Sequence, residues 1–210
     1  QLCACAGETS GDEILSPIID SLQKEKSIRS SGIAGPKMIQ SGVYPLFPME
    51  HLAVMGIMEV LPRLPLLFSI RKKMKEYLDI ARPAVLLTCD APDFNLALCE
   101  FAKRREIPSY HVVSPSVWAW RSERIPKIAK QLDGLLCLFP FEPDLYRGTG
   151  LKTTFIGHPL ASKIKFNPDP APFRKVLRLP AHDPILAILP GSRKSELKML
   201  FPLFLNVFDK

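Results

Sequence analysis

Cysteine pairing is missing from this chain: its five cysteines are odd in number, and no two stand in a Cys-x-x-Cys pair. Such usage argues against a disulfide framework and a zinc site, and for buried thiols in a reducing, cytoplasmic setting. No metal and no cofactor are expected. Long apolar runs are missing as well, since no stretch of about eighteen uncharged apolar residues offers to span a bilayer. Nor does the N-terminus carry the basic segment of a signal peptide. Three signatures of nucleotide or nucleophile chemistry are absent. There is no Gly-x-x-x-x-Gly-Lys-Ser/Thr and no Gly-x-Gly-x-x-Gly, and Gly7-Glu8-Thr9-Ser10-Gly11 places its serine one position too late for Gly-x-Ser-x-Gly. Kinase and dehydrogenase readings lose ground accordingly.

What is present suits a globular α/β protein. A chain of 210 residues with 47% hydrophobic content can build one ordinary domain and part of another. The formal net charge of +7 asks for an anionic partner: nucleic acid, a phosphorylated metabolite or an anionic membrane surface. A nucleic-acid partner is disfavoured, because the basic residues are scattered among helical stretches and no reader module is recognisable.

Short apolar strands alternate with longer helical patterns, the arrangement of a parallel sheet with helices on both faces. Strands are expected at residues 2–6, 32–34, 84–88, 109–113, 134–138 and 153–156, and helices at 13–24, 66–78, 94–105, 123–132 and 142–147. The 161–183 region, punctuated by proline, reads as a linker with one short helical pattern at 173–177. A fresh strand at 184–189 and a helix carrying Leu197, Leu200, Phe201, Phe204 and Phe208 on one face would open a second α/β domain. The expected division is thus 1–160, 161–183 and 184–210. The chain opens on Gln1 inside a strand pattern and closes on Lys210 inside a helical one, so a piece of a longer protein is expected.

Chemistry is expected where strands hand over to helices, since ligands of open α/β sheets bind beyond the carboxyl ends of the strands. Four such turns stand out: residues 6–12, 88–95, 114–121 and 189–193. In the second, Asp90 and Asp93 bracket a proline; one can act as a general base and the other as a helix N-cap, with Asp93 the nearer to the helix start. Glu8 is a further carboxylate candidate, and Ser10 or Asp12 a candidate N-cap. Gly191-Ser192-Arg193 has the makings of an anion clamp. One of Trp118 and Trp120 is free to line a ligand surface, and His158 serves structure or function equally well. The helix at 66–78 carries Arg71, Lys72, Lys73 and Lys75 beside a Met-rich stretch with Met55 and Met58, which leaves open both a solvated face and docking at a membrane surface.

Together these motifs resemble the lipid-A-disaccharide synthase family of GT-B type glycosyltransferases. The resemblance is carried in order by AGETSGD at 6–12, GIAGPKM at 32–38, LAVMGIMEVL at 52–61, DAPDFN at 90–95, SPSVWAWR at 114–121, FPFE at 139–142, FIGHPL at 155–160 and LPGSRKSE at 189–196. It implies a Rossmann-like N-terminal domain on the acceptor side, followed by the start of a nucleotide-sugar-binding domain. It also implies metal-independent, inverting transfer from UDP-2,3-diacylglucosamine to 2,3-diacylglucosamine 1-phosphate, with release of UDP, at the cytoplasmic face of the inner membrane. Under it Asp90 is the expected base, with Glu8 next. Ser10, Gly11 and Asn95 shape the acceptor pocket, and Ser192 and Arg193 meet the donor. Met55, Met58, Arg71 and Lys72 face acyl chains and an anionic membrane surface. A homo-oligomer is an open option, and a noncatalytic lipid-phosphate-binding module or inactive remnant of the family is the alternative.

Overall fold

The computed structural model describes residues 1–52, 61–191 and 194–208. Seven strands form one sheet in the order β3-β2-β1-β4-β5-β6-β7, and every neighbouring pair is parallel. They are β1 (Leu2–Ala6), β2 (Ser30–Ala34), β3 (Val43–Pro48), β4 (Val85–Cys89), β5 (Ser109–Val112), β6 (Gly134–Cys137) and β7 (Lys152–Phe155). The chain winds outward from β1 to β3, then returns to lay β4 against the other side of β1. The β1/β4 seam is therefore the topological switch point, where a crevice opens beyond the strand ends.

Side chains alternate across the strands and so build two apolar layers. Leu2, Ala4 and Ala6, with Leu87 and Cys89, pack beneath Ile14, Leu15 and Ile19 of α1 (Thr9–Glu25) and Met38 of α2 (Pro36–Gln40). Cys3, Cys5 and Leu86 face the opposite way. They meet Ile70, Met74 and Leu78 of α3 (Leu64–Ala81) and Leu98, Cys99 and Ala102 of α4 (Pro92–Lys103). Each fully buried Leu or Ile in these layers contributes about 1.5–3 kcal/mol. The remaining helices are α5 (Val117–Trp120), α6 (Ile125–Gln131), α7 (Glu142–Leu145), α8 (Ala171–Val176) and α9 (Lys194–Phe208).

The expected strands all form within a few residues of their predicted places, except the one at 184–189, which has no strand conformation and is exposed for most of its length. A strand must pair its backbone groups with a neighbour, and no strand lies within residues 165–191 to supply one. Among the described residues three strand or α-helical elements went unpredicted: β3, α2 and the four-residue α5, which lies inside the expected turn at 114–121. β3 is an edge strand that carries Pro45 and Pro48, residues that read as turn formers yet are tolerated where one side of the ladder is open. Helix α2 is only five residues long, too short for a helical period to show.

The chain separates into two compact units, Gln1–Ile164 and Lys165–Lys210. The second holds α8 and α9, and α9 displays Leu197, Phe201 and Phe204 on an exposed apolar face.

Candidate active site at the switch point

The two turns that flank the β1/β4 seam are joined to each other. The Gly7 amide donates to the Cys89 carbonyl at 3.0 Å, which extends the ladder one step past the strands. Ser10, on the first turn of α1, donates its hydroxyl to Asp90 Oδ2 at 2.6 Å. Close packing of the turns depends on missing side chains: a Cβ on Gly7 would strike Ala91 Cβ, and one on Gly11 would lie 2.8 Å from Asp90 Oδ2. Glu8 holds the N-cap position of α1 in an extended conformation beside them.

Backbone conformation on the β4 side is unusual. Asp90 (φ 57°) and Ala91 (φ 39°) are consecutive left-handed residues that are not glycine, and Val113 (φ 75°), just past β5, is a third at the same sheet edge. L-residues pay about 1–3 kcal/mol each for such conformations, and these concentrate where a site demands a particular geometry. Arg82, Glu106 and Arg178 follow helix C-termini, where this conformation is common, and Asn167 lies in the proline-punctuated segment before α8. Asn95 is 0% exposed, and its Nδ2 donates to the carbonyls of Cys89 at 3.0 Å and Asp90 at 2.8 Å. The expectation that Asn95 lines the acceptor pocket gives way to this inward role.

Asp93 is not an N-cap. Ala91 occupies that position, Pro92 starts α4, and the Asp93 carboxylate instead takes Arg124 Nη2 at 2.6 Å. Arg71 donates to the Asp93 carbonyl at 3.1 Å, and its guanidinium lies over the rings of Phe68 and Phe94. Burial lowers the pKa of Arg71 from its ordinary value, and the nearby Asp93 charge opposes that shift. An arginine expected at a membrane is thus turned onto the protein, where it ties α3 to the start of α4. Lys72, with its side chain 80% exposed and 4.0 Å from Glu76, remains on the surface. Met55, Met58, Ser192 and Arg193 lie outside the described residues, as do the side chains of Trp118 and Trp120.

Asp12 caps no part of its own helix. It is 1% exposed, and its two oxygens accept the Lys37 and Met38 amides at 2.9 Å each, so it caps α2. Gly35 is bare because a Cβ there would lie 2.6 Å from Asp12 Cγ. The strings at 6–12 and 32–38 are thereby two parts of one joint. In FPFE, Glu142 Oε2 accepts the Leu138 and Phe139 amides at 2.9 and 3.0 Å, fixing the turn after β6. In SPSVWAWR, Ser114 hydrogen-bonds the buried Tyr146 hydroxyl at 3.0 Å.

Elsewhere in the sheet, buried titratable groups are held neutral. His111 Nδ1 meets Thr88 Oγ1 at 2.7 Å, and burial drops its pKa to about 4, which keeps the ring neutral. His158 accepts the Leu160 amide within its own turn. Burial pushes the thiols of Cys99 and Cys137 up to about 12 and raises that of Cys89, so none of these is a thiolate at neutral pH. Among the described residues no cluster of three His, Cys, Asp or Glu is placed to hold a metal. Sequence reading found Asp90, Ser10 and Gly11 but missed Gly7, Asp12 and Ala91 as parts of the joint. The signal for them was the pairing of small residues between turns distant in sequence.

The solved structure of UDP-GlcNAc 2-epimerase from Neisseria meningitidis bound to UDP-GlcNAc shares the fold. Its TM-score is 0.55 at 14% identity, over 75% of this chain and 46% of that one. Lipid-A-disaccharide synthase of Chromobacterium violaceum is 47% identical over 96% of this chain and 52% of its own length. That of Methylobacillus flagellatus is 46% identical over 96% and 53%. The chain spans about half the length of these curated relatives. The lipid-A-disaccharide synthetase family profile matches residues 2–209. A Rossmann-like sheet with its joint at the switch point and a family match along nearly all its length make this chain a member of the lipid-A-disaccharide synthetase family.

Proposed function

We propose that this chain is the acceptor-side part of a lipid-A-disaccharide synthase, with Asp90 as its general base. The observation that carries the reading is the Asp90 carboxylate at the switch point, with Oδ2 taken by Ser10. That leaves Oδ1 to receive a proton. In the reaction, a sugar hydroxyl of 2,3-diacylglucosamine 1-phosphate attacks the anomeric carbon of UDP-2,3-diacylglucosamine. Its proton passes to Asp90, the new glycosidic bond forms from the opposite face, and the bond to the diphosphate breaks to release UDP. The N-terminus of α1 favours the negative charge of a substrate phosphate, and the Gly191, Ser192 and Arg193 string is assigned to the donor side from its sequence. Residues 184–210 belong, on this reading, to the second, nucleotide-sugar-binding domain of a GT-B architecture.

Attachment to the cytoplasmic face of a membrane fits the outward side of α3, where Leu66 and Phe68 are exposed beside Lys72. No helix among the described residues is long and apolar enough to cross a membrane, and peripheral docking of this helix suits a lipid substrate.

Disaccharide formation from the two lipid substrates, by this chain extended through its second half, tests the proposal. Asp90→Ala in that protein is expected to cost about 10²–10⁴-fold in turnover, with the thermal unfolding midpoint unchanged. Near-normal turnover would remove Asp90 from the role of base.

A further inference from the structure

We propose that Asn95 is the positioning residue that sets where the Asp90 carboxylate stands, an inference that rests on the reading of Asp90 as base. The carbonyls of Cys89 and Asp90 belong to successive residues, yet both converge on the one Nδ2 group, at 3.0 and 2.8 Å. Successive carbonyls point apart in an extended strand. Bringing them together requires the chain to turn over between them, and the left-handed φ of 57° at Asp90 does so. Ala91 continues the turn at φ 39° and delivers its own carbonyl to the Phe94 and Asn95 amides. With the backbone so held, the Asp90 side chain crosses the seam to Ser10.

The second observation is what Asn95 leaves undone. Its Oδ1 is buried, with no hydrogen-bond partner among the described residues, and the residue is 0% exposed. Exchanging the amide oxygen and nitrogen would give no relief, because an oxygen would then face two carbonyl oxygens. A residue kept for packing alone would be leucine, which has nearly the same shape and no polar atom to bury. Leucine would bring no donors, and the two that Asn95 supplies act on the backbone that aims Asp90.

Asn95→Leu in the extended chain removes both donors and keeps the volume. The expected result is a fall in kcat of about 30-fold or more with KM for both substrates held within about threefold, since the base is displaced and substrate contacts are not. Adding Ala91→Gly should restore about tenfold of that loss, because glycine adopts the left-handed turn without a clamp. A kcat within about threefold of wild type, or a loss that Ala91→Gly leaves untouched, would overturn the proposal. Two readouts on the 210-residue chain keep the test independent of turnover. In the wild type, NMR couplings across hydrogen bonds should link Asn95 Nδ2 to the carbonyl carbons of Cys89 and Asp90, and their absence defeats the clamp even if the leucine variant does not fold. In Asn95→Leu the NMR chemical shift of the Asp90 carboxyl carbon should move as its Ser10 contact loosens; an unmoved signal contradicts positioning. If the wild-type extended chain makes no disaccharide, the functional reading fails, and these two measurements still decide the role of Asn95.

Discussion

The turns after β1 and β4 meet at one seam and reach close contact by opposite means. The β1 turn does it by deletion: Gly7 and Gly11 remove the atoms that would strike Ala91 and Asp90, and neither takes a left-handed φ. On the β4 side contact comes from contortion, with Asp90 and Ala91 left-handed and Asn95 pinning two carbonyls from below. The difference follows from what each turn must present. A turn that offers backbone N–H groups at a helix start can shed side chains, whereas one that offers a carboxylate must keep Asp90 and bend the chain beneath it. The first is inexpensive to build but intolerant of added atoms, and the second tolerates side chains but depends on a buried clamp.

That contrast breaks most readily at the anchor of the β1 turn. Asp12→Ala leaves the Lys37 and Met38 amides without their charged acceptor and should lower stability by about 2–3 kcal/mol, read as a lower urea midpoint at unchanged slope. An unchanged midpoint would mean that α2 does not brace α1. Gly7→Ala should come next, at about 1–3 kcal/mol for overpacking against Ala91. If the two turns are coupled through that contact, Ala91→Gly should recover most of the loss in a double-mutant cycle, and strict additivity would refute the coupling. Ser10→Ala should be the smallest: the hydroxyl is exposed, so stability should stay within about 0.5 kcal/mol. Transfer by the extended chain should still fall several-fold, because Asp90 Oδ2 loses its donor. A stability loss larger than the change in turnover would make Ser10 a structural cap.

Much of this architecture was legible in the residues. Strand-sized apolar runs at 2–6 and 84–88, each followed by a helical period, foretold a parallel sheet with helices, since period and length are local properties. The contact between Asp90 and Ser10 joins two turns that the residues marked as candidates, since both stand where an apolar run hands over to a helical period. Less visible were the partners. Asp93 stands where an N-cap is expected, yet Arg124, thirty-one residues on, takes its carboxylate. Arg71 reads as a surface cation of a basic helix, but the Phe68 and Phe94 rings and the Asp93 carbonyl hold it. Asp12 reads as a local cap and serves α2, twenty-five residues away. In each case a charged group has a partner from another element, twenty-two to thirty-one residues away, which no spacing along the chain encodes.

The sequence by itself determined the elements, their alternation, the family strings and the place of the candidate base, because hydrophobic period and turn chemistry act over a few residues. Only the tertiary structure decided that β4 returns to lie beside β1, that two glycines and an asparagine are one joint around Asp90, and that residues 184–189 stand without strand pairing. Those outcomes turn on which surfaces meet, and the free energy of meeting belongs to pairs of segments, not to either segment alone.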